Sequence, residues 1–297
     1  MVARHCFASL GGALLLVLWS ASTVFAGSVS TFEPPNGTGA IPTWPDGIAD
    51  GWYTPRTDQV PGTVPGSIYT YAQVATLGIA KDPVGGTQVL GLAIHGTDGH
   101  TADSVARAQN SPSGGFSQSS EWSVSFDFSA VNLAPLLQQS GNTFGNYYIG
   151  GFSIFGANFP GFILDDAWDN GDTSSTFSTI YWVYDSNGHL MSAQTAWTGL
   201  SQNYWYREST VFDLGSKQIL SISLTDLTTG STTTVSPTGW YLGGSGATAP
   251  SAMRFAGFGE TNAFLVDNVS LDGSVPEPAT IFLMGLGLLV PIAFRRR

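Results

Sequence analysis

The 297-residue chain contains a single cysteine, Cys6, and that cysteine lies in an apolar segment near the N-terminus. The segment has a weakly basic start, an apolar run over residues 10–19 and small residues at Val24 and Ala26. This pattern is typical of a secretory signal peptide, so residues 1–26 are predicted to be removed by signal peptidase. The mature chain then has no disulfide, no thiolate nucleophile and no cysteine-ligated zinc, and its stability must come from a hydrophobic core.

Charged residues are also scarce, at 10% of the chain, and most of them are acidic. Residues 27–274 contain 20 acidic and six basic side chains, a formal charge of −14. A surface with so few cations cannot neutralise a phosphate backbone, which excludes nucleic acid as a partner. The 37 glycines and the 12% of aromatic residues suit an extracellular β protein that meets neutral polymers.

Several catalytic signatures are missing as well. The chain has no G-x-S-x-G elbow, no phosphate-binding loop and no dinucleotide fingerprint. Glycoside hydrolysis needs two carboxyl groups across the scissile bond. The four glutamates that could supply one are isolated, with no second acid in strand register nearby: Glu33, Glu121, Glu208 and Glu260. We therefore expect a protein that is not an enzyme.

Alternating apolar and polar residues are the commonest periodic pattern in the chain. Residues 122–128 alternate in this way with Phe126 and Phe128 facing inward, and Leu220, Ile222 and Leu224 repeat the pattern. The turn signal at 185–188 predicts a hairpin. Further strands are predicted at residues 68–76, 88–95, 147–155, 179–184, 253–258 and 263–271. Many short antiparallel strands predict one all-β domain over residues 27–274, built as a two-sheet sandwich.

A second long apolar run lies at the C-terminus, over residues 279–294. As a helix its 16 residues would span about 24 Å, slightly less than the ~30 Å hydrocarbon core of a bilayer. We therefore predict a single transmembrane helix, with the basic tail at 295–297 on the cytoplasmic side. A proline-flanked glutamate precedes the helix and three arginines end the chain: Val275, Pro276, Glu277, Pro278, Arg295, Arg296 and Arg297.

Residues 275–297 resemble the PEP-CTERM sorting signal of Gram-negative bacteria, which exosortase-type membrane transpeptidases recognise. The resemblance implies an exosortase-like transpeptidase and the membrane as partners. It also implies anchoring in the inner membrane before processing, and later a place at the cell surface or in the extracellular matrix. The alternative is an ordinary tail anchor with an incidental P-E-P sequence.

The order of elements between Tyr181 and Leu271 carries a second resemblance. An aromatic strand and a hairpin are followed by Trp205-Tyr206-Arg207, by the run 219–224 and by a final strand at 264–269. This order is similar to a concanavalin-A-like or laminin-G-like fold and implies a two-sheet jelly-roll sandwich. A galactose-binding-like sandwich is the competing interpretation.

Four aspartates within eight residues form the densest group of charge in the chain: Asp165, Asp166, Asp169 and Asp172. Carboxylate oxygens are the ligands that calcium prefers, so this segment is a candidate structural calcium site. The alternative is a polar surface turn, in which Asp and Asn side chains bond their own backbone.

Eight tryptophans lie in the mature chain, and exposed aromatic rings can stack on sugar rings. Trp122 and Trp182 lie in alternating strands and are expected in the core. Trp168, inside the acidic segment, and Trp197 and Trp240, beside Thr and Gly, are the candidate glycan-binding platforms. Packing in the sandwich is the alternative role for each of them.

These patterns together predict a non-catalytic envelope or extracellular-matrix protein. The tail resemblance implies an association with exopolysaccharide or biofilm, with polysaccharide as a partner. A lectin-like carbohydrate-binding module is the alternative function, and a glycan hydrolase is the less favoured one.

Overall fold

A computed structural model of the chain describes residues 28–56, 63–92, 105–111, 121–131, 148–156, 162–169, 176–243, 250–257 and 263–274. These residues form two β-sheets and one short helix, α1 (Tyr71–Ala75). The strands of the first sheet are β1 (Ser28–Ser30), β2 (Gly39–Ala40), β5 (Ser67–Thr70), β6 (Gln88–Leu92), β8 (Glu121–Val131), β13 (Tyr206–Asp213), β14 (Gln218–Asp226), β15 (Ser231–Val235) and β17 (Ala263–Ser274). Those of the second are β3 (Trp52–Tyr53), β4 (Thr63–Pro65), β7 (Val105–Asn110), β9 (Tyr148–Gly156), β10 (Phe162–Asp169), β11 (Thr176–Tyr181), β12 (Gln194–Ser201) and β16 (Pro250–Gly257).

Both sheets are antiparallel throughout the described strands, apart from the short parallel pair β4–β7. The first sheet has the order β15-β14-β13-β8-β17-β6-β5-β2, and β1 pairs with β17. The second has the order β12-β11-β10-β9-β16-β7-β3, with β4 beside β7. Neighbours in both sheets are often distant in the sequence. The prediction of an all-β, two-sheet jelly-roll sandwich is confirmed for the described residues.

The core lies between the sheets and is dominated by aromatic rings. Phe126 of β8 lies 4.9 Å from Phe152 of β9 and 5.1 Å from Phe255 of β16, measured between ring centroids. Both contacts join one sheet to the other. Burial of such a side chain stabilises the fold by roughly 1.5–3 kcal/mol. The largest fully buried side chains are Trp52, Trp168, Trp205, Tyr181, Phe32, Phe126, Phe128, Phe152, Phe155, Phe177, Phe212 and Phe255.

The run predicted as one strand at residues 68–76 is divided between β5 and α1. Thr70 ends the strand and caps the helix, because its Oγ1 accepts a hydrogen bond from the Gln73 N–H at 3.2 Å. Gln73 Oε1 accepts one in return from the Thr70 N–H at 2.7 Å. This capping box ends the strand, so the single-strand prediction is wrong here. Tyr71 and Val74 of α1 are buried in a second, smaller core with Trp205.

The predicted strand around residues 220–224 is present, but one of its three expected inward-facing residues, Leu220, does not face the core. A register shift in the pairing of β13 with β14 brings Ile219, and not Leu220, to the buried face. Ile222 and Leu224 are buried as predicted. An extra residue in one strand reverses the faces of all residues before it, which simple alternation does not reveal.

The hairpin predicted at residues 185–188 is confirmed. Asp185 Oδ1 accepts hydrogen bonds from the backbone N–H of Asn187 at 2.8 Å and of His189 at 2.9 Å. Gly188 has a φ of 82°, which glycine adopts without a steric penalty. The hairpin is therefore closed by the hydrogen bonds from the turn backbone to the Asp185 side chain and by a glycine in the left-handed conformation.

Within the described part of the chain, no helix is long and apolar enough to cross a membrane. The predicted signal peptide at 1–26 and the predicted transmembrane helix at 279–294 lie outside the described residues.

A glycine in β9 provides a test of the close packing between the sheets. We expect Gly150→Ala to lower the free energy of unfolding by about 1–3 kcal/mol, the usual cost of overpacking a core. The reason is that a Cβ at this position would overlap the buried ring of Phe264. Urea unfolding followed by circular dichroism measures the change.

Gly37→Ala is the matched control, since a Cβ there would meet no atom within 4 Å. An equal loss of stability in both variants would contradict the described packing of β9 against β17.

Candidate functional site

Charged and polar side chains gather at three places in the described sandwich, and the first is inside it. The interior cluster consists of Asp166, Tyr181, Glu208 and Thr210, all of them buried. Strand alternation places them there, because in β13 every second residue from Tyr206 onward faces the core. The Tyr181 hydroxyl donates a hydrogen bond to Glu208 Oε1 and lies 3.3 Å from Thr210 Oγ1.

Burial is the main cause of the pKa shifts in the interior cluster. It raises the pKa of Glu208, and it raises the pKa of Tyr181 well above its usual value, with the Glu208 charge adding to the effect. Asp166 lies near Glu208, and its Oδ1 accepts a hydrogen bond from the Phe152 N–H at 3.1 Å. The sequence suggested an isolated Glu208, whereas the fold brings a second carboxyl beside it. Because Glu208 is only 1% exposed, a polymer cannot reach this pair of carboxyl groups. Asp166 lies on β10 and Glu208 on β13, so the pair connects the two sheets.

The second group, the strand-end cluster, consists of Asp82, Asp127, Arg207, Asp267 and Asn268. Arg207, Asp127 and Asp267 are directly opposite one another on β13, β8 and β17. Arg207 donates two hydrogen bonds to Asp127, from Nε at 2.6 Å and from Nη2 at 2.8 Å. This bidentate geometry is the strong form of an arginine–carboxylate pair.

Asn268 connects two of the buried aspartates in this cluster. Its Nδ2 donates to Asp127 Oδ2 at 2.7 Å and to Asp82 Oδ2 at 3.1 Å. Its φ is 49°, and the register of β17 against β8 shifts between Asp267 and Ser270. Asparagine tolerates this left-handed conformation better than most residues. The bulge thus turns the amide of Asn268 toward the carboxylates.

The strand-end cluster holds three buried aspartates, and burial changes the proton affinity of two of them, Asp82 and Asp267. Burial raises the pKa of Asp267 to about 7, although hydrogen bonds from the Tyr71 hydroxyl at 2.8 Å and from the Asn268 N–H oppose it. Burial also raises the pKa of Asp82 to about 6, against a backbone hydrogen bond from Val84. Among the described residues no group of three or more His, Cys, Asp or Glu side chains has a geometry that could hold a metal ion.

The third group lies on the outer face of the second sheet and consists of Tyr53, Arg107, Gln109, Ser153 and Arg254. We call it the outer polar face. Tyr53, Gln109, Arg254 and Ser153 follow one another in register across β3, β7, β16 and β9. Gln109 Nε2 donates to the Tyr53 hydroxyl at 2.9 Å. Gln109 Oε1 accepts from Arg254 Nε at 2.9 Å and from Nη2 at 2.6 Å.

The two arginines of the outer polar face are held close together. Arg107 precedes Gln109 by two residues on β7, so both face the same side, and its Nη1 donates to Thr63 Oγ1 at 2.6 Å. The Arg254 guanidinium lies 4.4 Å from the centre of the Phe155 ring. Burial lowers the pKa of both arginines, and the charge of Arg107 contributes to lowering that of Arg254 to about 10. Two half-buried cations therefore sit side by side.

The tryptophan predictions have different outcomes. Trp168 is 0% exposed and stacks on Phe128, with ring centroids 4.5 Å apart and planes at 12°. The prediction that it is an exposed glycan platform is therefore wrong, because β10 turns its ring into the core. Trp197 and Trp240 are half-buried and pack against that core, and glycan contact by these two stays a prediction.

The aspartates proposed for calcium do not lie in one loop. Asp165, Asp166 and Asp169 belong to strand β10, so the interpretation as a surface turn is wrong for this part. Asp166 faces the interior. The side chains of Asp165 and Asp169, and the whole of Asp172, lie outside the described residues. Calcium binding by this group stays a prediction.

The outer polar face was not found by sequence reasoning. Its signal was present, because Arg107 and Arg254 are two of only six basic residues between 27 and 274. Arg107 and Gln109 also alternate with small or buried residues in β7. Nothing in the sequence shows, however, that residues 145 positions apart are cross-strand neighbours.

The sorting residues Val275 to Pro278 and Arg295 to Arg297 lie outside the described residues. Residues 274–297 match the PEP-CTERM protein-sorting motif. The C-terminus is a PEP-CTERM sorting motif. Such a motif indicates a protein that is exported, anchored in the membrane and processed at the cell surface. A search of curated proteins found no match.

Solved structures with a similar fold were found at low identity. The carbohydrate esterase vb_24B_21 from the Shiga toxin-encoding bacteriophage phi24B is 13% identical, with a TM-score of 0.46, over 83% of this chain and 100% of its own. The PL-14 alginate lyase from Aplysia kurodai is 12% identical, with a TM-score of 0.43, over 65% of this chain and 86% of its own. Arcelin-5, a lectin-like defense protein from Phaseolus vulgaris, is 13% identical, with a TM-score of 0.32, over 62% of this chain and 85% of its own. At such values a similarity says nothing about ligand or activity.

The raised pKa values of Asp82 and Asp267 predict a stability that falls as the pH rises. With a folded-state pKa of about 7 for Asp267 and about 6 for Asp82 against a usual 3.8, the folded state binds more protons than the unfolded state. We therefore expect the free energy of unfolding to fall by about 1–3 kcal/mol between pH 5 and pH 8. Thermal and urea unfolding at several pH values in this pH range measure the free energy of unfolding.

Asp267→Asn should reduce this slope, because an amide keeps an acceptor for Tyr71 and does not titrate. Asp272→Asn, an exposed position on the same strand, is the control for the loss of one carboxyl. A stability that rises from pH 5 to pH 8 would contradict the description of the strand-end cluster.

Proposed function

We propose that this chain is a non-catalytic protein of the bacterial envelope or extracellular matrix, which binds polysaccharide and is released from its anchor by an exosortase-like enzyme. In this proposal signal peptidase removes residues 1–26, and the sandwich is displayed outside the inner membrane. The observation that carries it is the match of residues 274–297 to the sorting motif, directly after the end of the sandwich.

The end of the sandwich supports release as one unit. Strand β17 runs to Ser274, which is paired with Glu121 of β8. Residues 272–274, directly before the sorting motif, are therefore part of a strand in the centre of the first sheet. Processing close to the P-E-P sequence would leave every described strand intact, because all of them precede residue 275.

The positions of the described carboxyl groups support a role without catalysis. Glu208 and Asp166 are sealed between the sheets. Glu33 accepts hydrogen bonds from the backbone of Thr87 and Gln88 and so fixes a loop. Asp127 is occupied by Arg207. Within the described residues these groups do not provide the accessible carboxyl pair that glycoside hydrolysis requires.

The outer polar face supports contact with a polysaccharide. Its amide, hydroxyl and guanidinium groups are already oriented by hydrogen bonds to one another, so little side-chain entropy is lost when they bind a hydroxyl-rich ligand. A sheet face also offers a long, flat surface that suits an extended polymer. The association with exopolysaccharide or biofilm belongs to this proposal.

The sorting step can be tested by changing the proline-flanked glutamate. We expect the triple variant Pro276→Ala, Glu277→Ala and Pro278→Ala to stay in the membrane with its C-terminus intact, because the processing enzyme loses the extended segment that it recognises. Fractionation of cells and the mass of the C-terminal peptide measure the result.

Pro83→Ala, at an exposed position almost 200 residues before the tail in the sequence, is the matched control. The interpretation as an ordinary tail anchor would be correct if the triple variant matured normally. It would also be correct if the unchanged chain matured normally in cells without the exosortase-like enzyme.

Polysaccharide binding can be tested with the native polymer. We expect the full chain, purified in detergent, to be retained by the extracellular polysaccharide of the producing cells, because the folded face recognises it. The heat-unfolded chain serves as the control. Equal passage of the folded and unfolded chain through the immobilised polymer would contradict the proposed function.

A further inference from the structure

We infer that strand β15, at the edge of the first sheet, pairs with β15 of a second copy of this chain, so that two sheets join into one. The two strands run antiparallel about a two-fold axis at Thr233. This contact goes beyond the proposed function, because it assigns a partner to the edge of the first sheet, whereas the outer polar face belongs to the second.

The side of β15 that faces away from β14 is open to solvent. β15 ends the first sheet, and four of its five residues, 231–234, are exposed. Within the described ranges, the backbone of β15 forms hydrogen bonds only with β14 and with its own turn. Its outward N–H and C=O groups therefore form an unpaired row, which is a template for another strand.

The open edge is limited to β15, because the chain itself covers the rest of β14. The Ile219 N–H donates to the carbonyl oxygen of Trp240 at 3.1 Å, and the Leu242 N–H donates to that of Lys217 at 2.8 Å. Residues 240–242 thus follow β14 beyond the end of β15 at Val235. A partner strand therefore meets an open edge of five residues.

The other outer strands of the described sheets are protected against such pairing. Native sheets protect their edges with short strands, charges, prolines or bulges. Strands β1 to β4 have only two or three residues each. Strand β12 has two register shifts against β11, and Gly199 within it has a φ of 71°. β15 has a regular register against β14, no charged residue and no proline, so it is the edge best suited to another strand.

The absence of charge at this edge allows the partner to be a second copy. Residues 27–274 have a formal charge of −14, so two copies repel one another over most of their surfaces. Residues 227–240, which include β15, contain no charged side chain. Asp226 precedes this stretch, and in an antiparallel pair the two Asp226 residues lie at opposite ends. Two copies can therefore meet here without placing like charges opposite one another.

The sequence of β15 is complementary to itself. When Thr233 lies opposite Thr233 of the other copy, Thr232 lies opposite Thr234 of that copy. A pair of this kind already exists within the chain, because Thr225 of β14 is opposite Thr232 and their Oγ1 atoms are 2.8 Å apart. Such cross-strand threonine pairs stabilise antiparallel sheets. The pairing would therefore extend the existing threonine ladder across the two-fold axis.

The membrane anchor favours a contact of this size. A pairing of five residues is smaller than a standard protein–protein interface, so we expect modest affinity in solution. The sorting motif indicates anchoring in the membrane, and anchored copies meet at a raised effective concentration. We therefore expect the paired form in the membrane, before the chain is released.

Disulfide crosslinking in membranes that carry the full chain tests the pairing. Cys6 is the only cysteine of the sequence, so Cys6→Ser provides a background without cysteine. In this background Thr233→Cys should form a disulfide-linked dimer on mild oxidation, because opposite residues of antiparallel strands have Cβ atoms about 4.5–5.5 Å apart, close to disulfide geometry. Electrophoresis without a reducing agent measures the dimer.

Thr228→Cys, at an exposed position of the turn beside β15, is the matched control and should give little dimer. Two further variants test the register. Thr232→Cys and Thr234→Cys, produced together in one cell, should crosslink with each other at least about fivefold more than either does with itself, because the identical positions are diagonal and too far apart for a disulfide.

A charge at the edge should prevent the pairing. Thr233→Lys, added to both members of the Thr232→Cys and Thr234→Cys pair, should reduce their crosslinking about fivefold, because it places like charges directly opposite one another. Thr228→Lys adds the same charge outside the strand and should have no effect. Raised salt should increase crosslinking of the chains without lysine, because it screens the repulsion between two acidic domains. Circular dichroism shows which variants are folded, and Thr233→Glu replaces a lysine variant that is not.

The outcomes decide the inference without a polysaccharide. Equal crosslinking of Thr228→Cys and Thr233→Cys would indicate random collision and overturn it. A Thr233→Cys chain that stays monomeric, or that is linked to a different protein instead of its own copy, would overturn it as well. Failure of the pairing leaves the proposed polysaccharide binding standing, and loss of polysaccharide binding leaves the paired strands standing.

Discussion

The aromatic layer between the two sheets is the contact on which the rest of this structure depends. Phe126 and Phe128 of β8 meet Phe152, Phe255 and Trp168 of the opposite sheet, and the exported domain has no disulfide to replace these contacts. Removal of a ring from such a layer typically costs about 3–5 kcal/mol, a large part of the stability of a domain. Close packing also explains why a glycine is needed at Gly150, where the ring of Phe264 fills the space that a Cβ would occupy.

Buried polar groups form two clusters in addition to this aromatic layer. The interior cluster places Glu208, Tyr181 and Asp166 in the space between the sheets, and the strand-end cluster ties α1, β8, β13 and β17 together around Asp127. Burial of ionisable groups is unfavourable unless they are paired and hydrogen-bonded, and hydrogen bonds within both clusters offset part of this cost. Burial raises the pKa of Glu208, Asp82 and Asp267 in these clusters, and that of Asp267 reaches about 7.

The two faces of the second sheet carry different kinds of side chain, because successive residues of a strand point to opposite faces. Its inner face contributes rings and apolar side chains to the core, while its outer face carries the arginines, amides and hydroxyls that remain in contact with solvent. The alternation of a strand assigns neighbouring residues such as Ala108 and Gln109 to opposite faces. A single sheet can therefore stabilise the sandwich with one face and present a polar surface to solvent with the other.

The sequence by itself determined the all-β class, the positions of most strands, the hairpin at residues 185–188 and the sorting motif. These features are local: alternation, turn residues and a compact C-terminal signal are each read within a few residues of chain. Sequence reasoning misjudged Trp168, the strand register at Ile219 and the division of β5 from α1. In the first two cases a strand face or a bulge is set by a distant partner, and in the third a capping box was overlooked. Only the tertiary structure brought Arg107 beside Arg254 and Asp166 beside Glu208, because cross-strand pairing joins residues that the sequence separates, and burial then sets their charge and their access to a ligand.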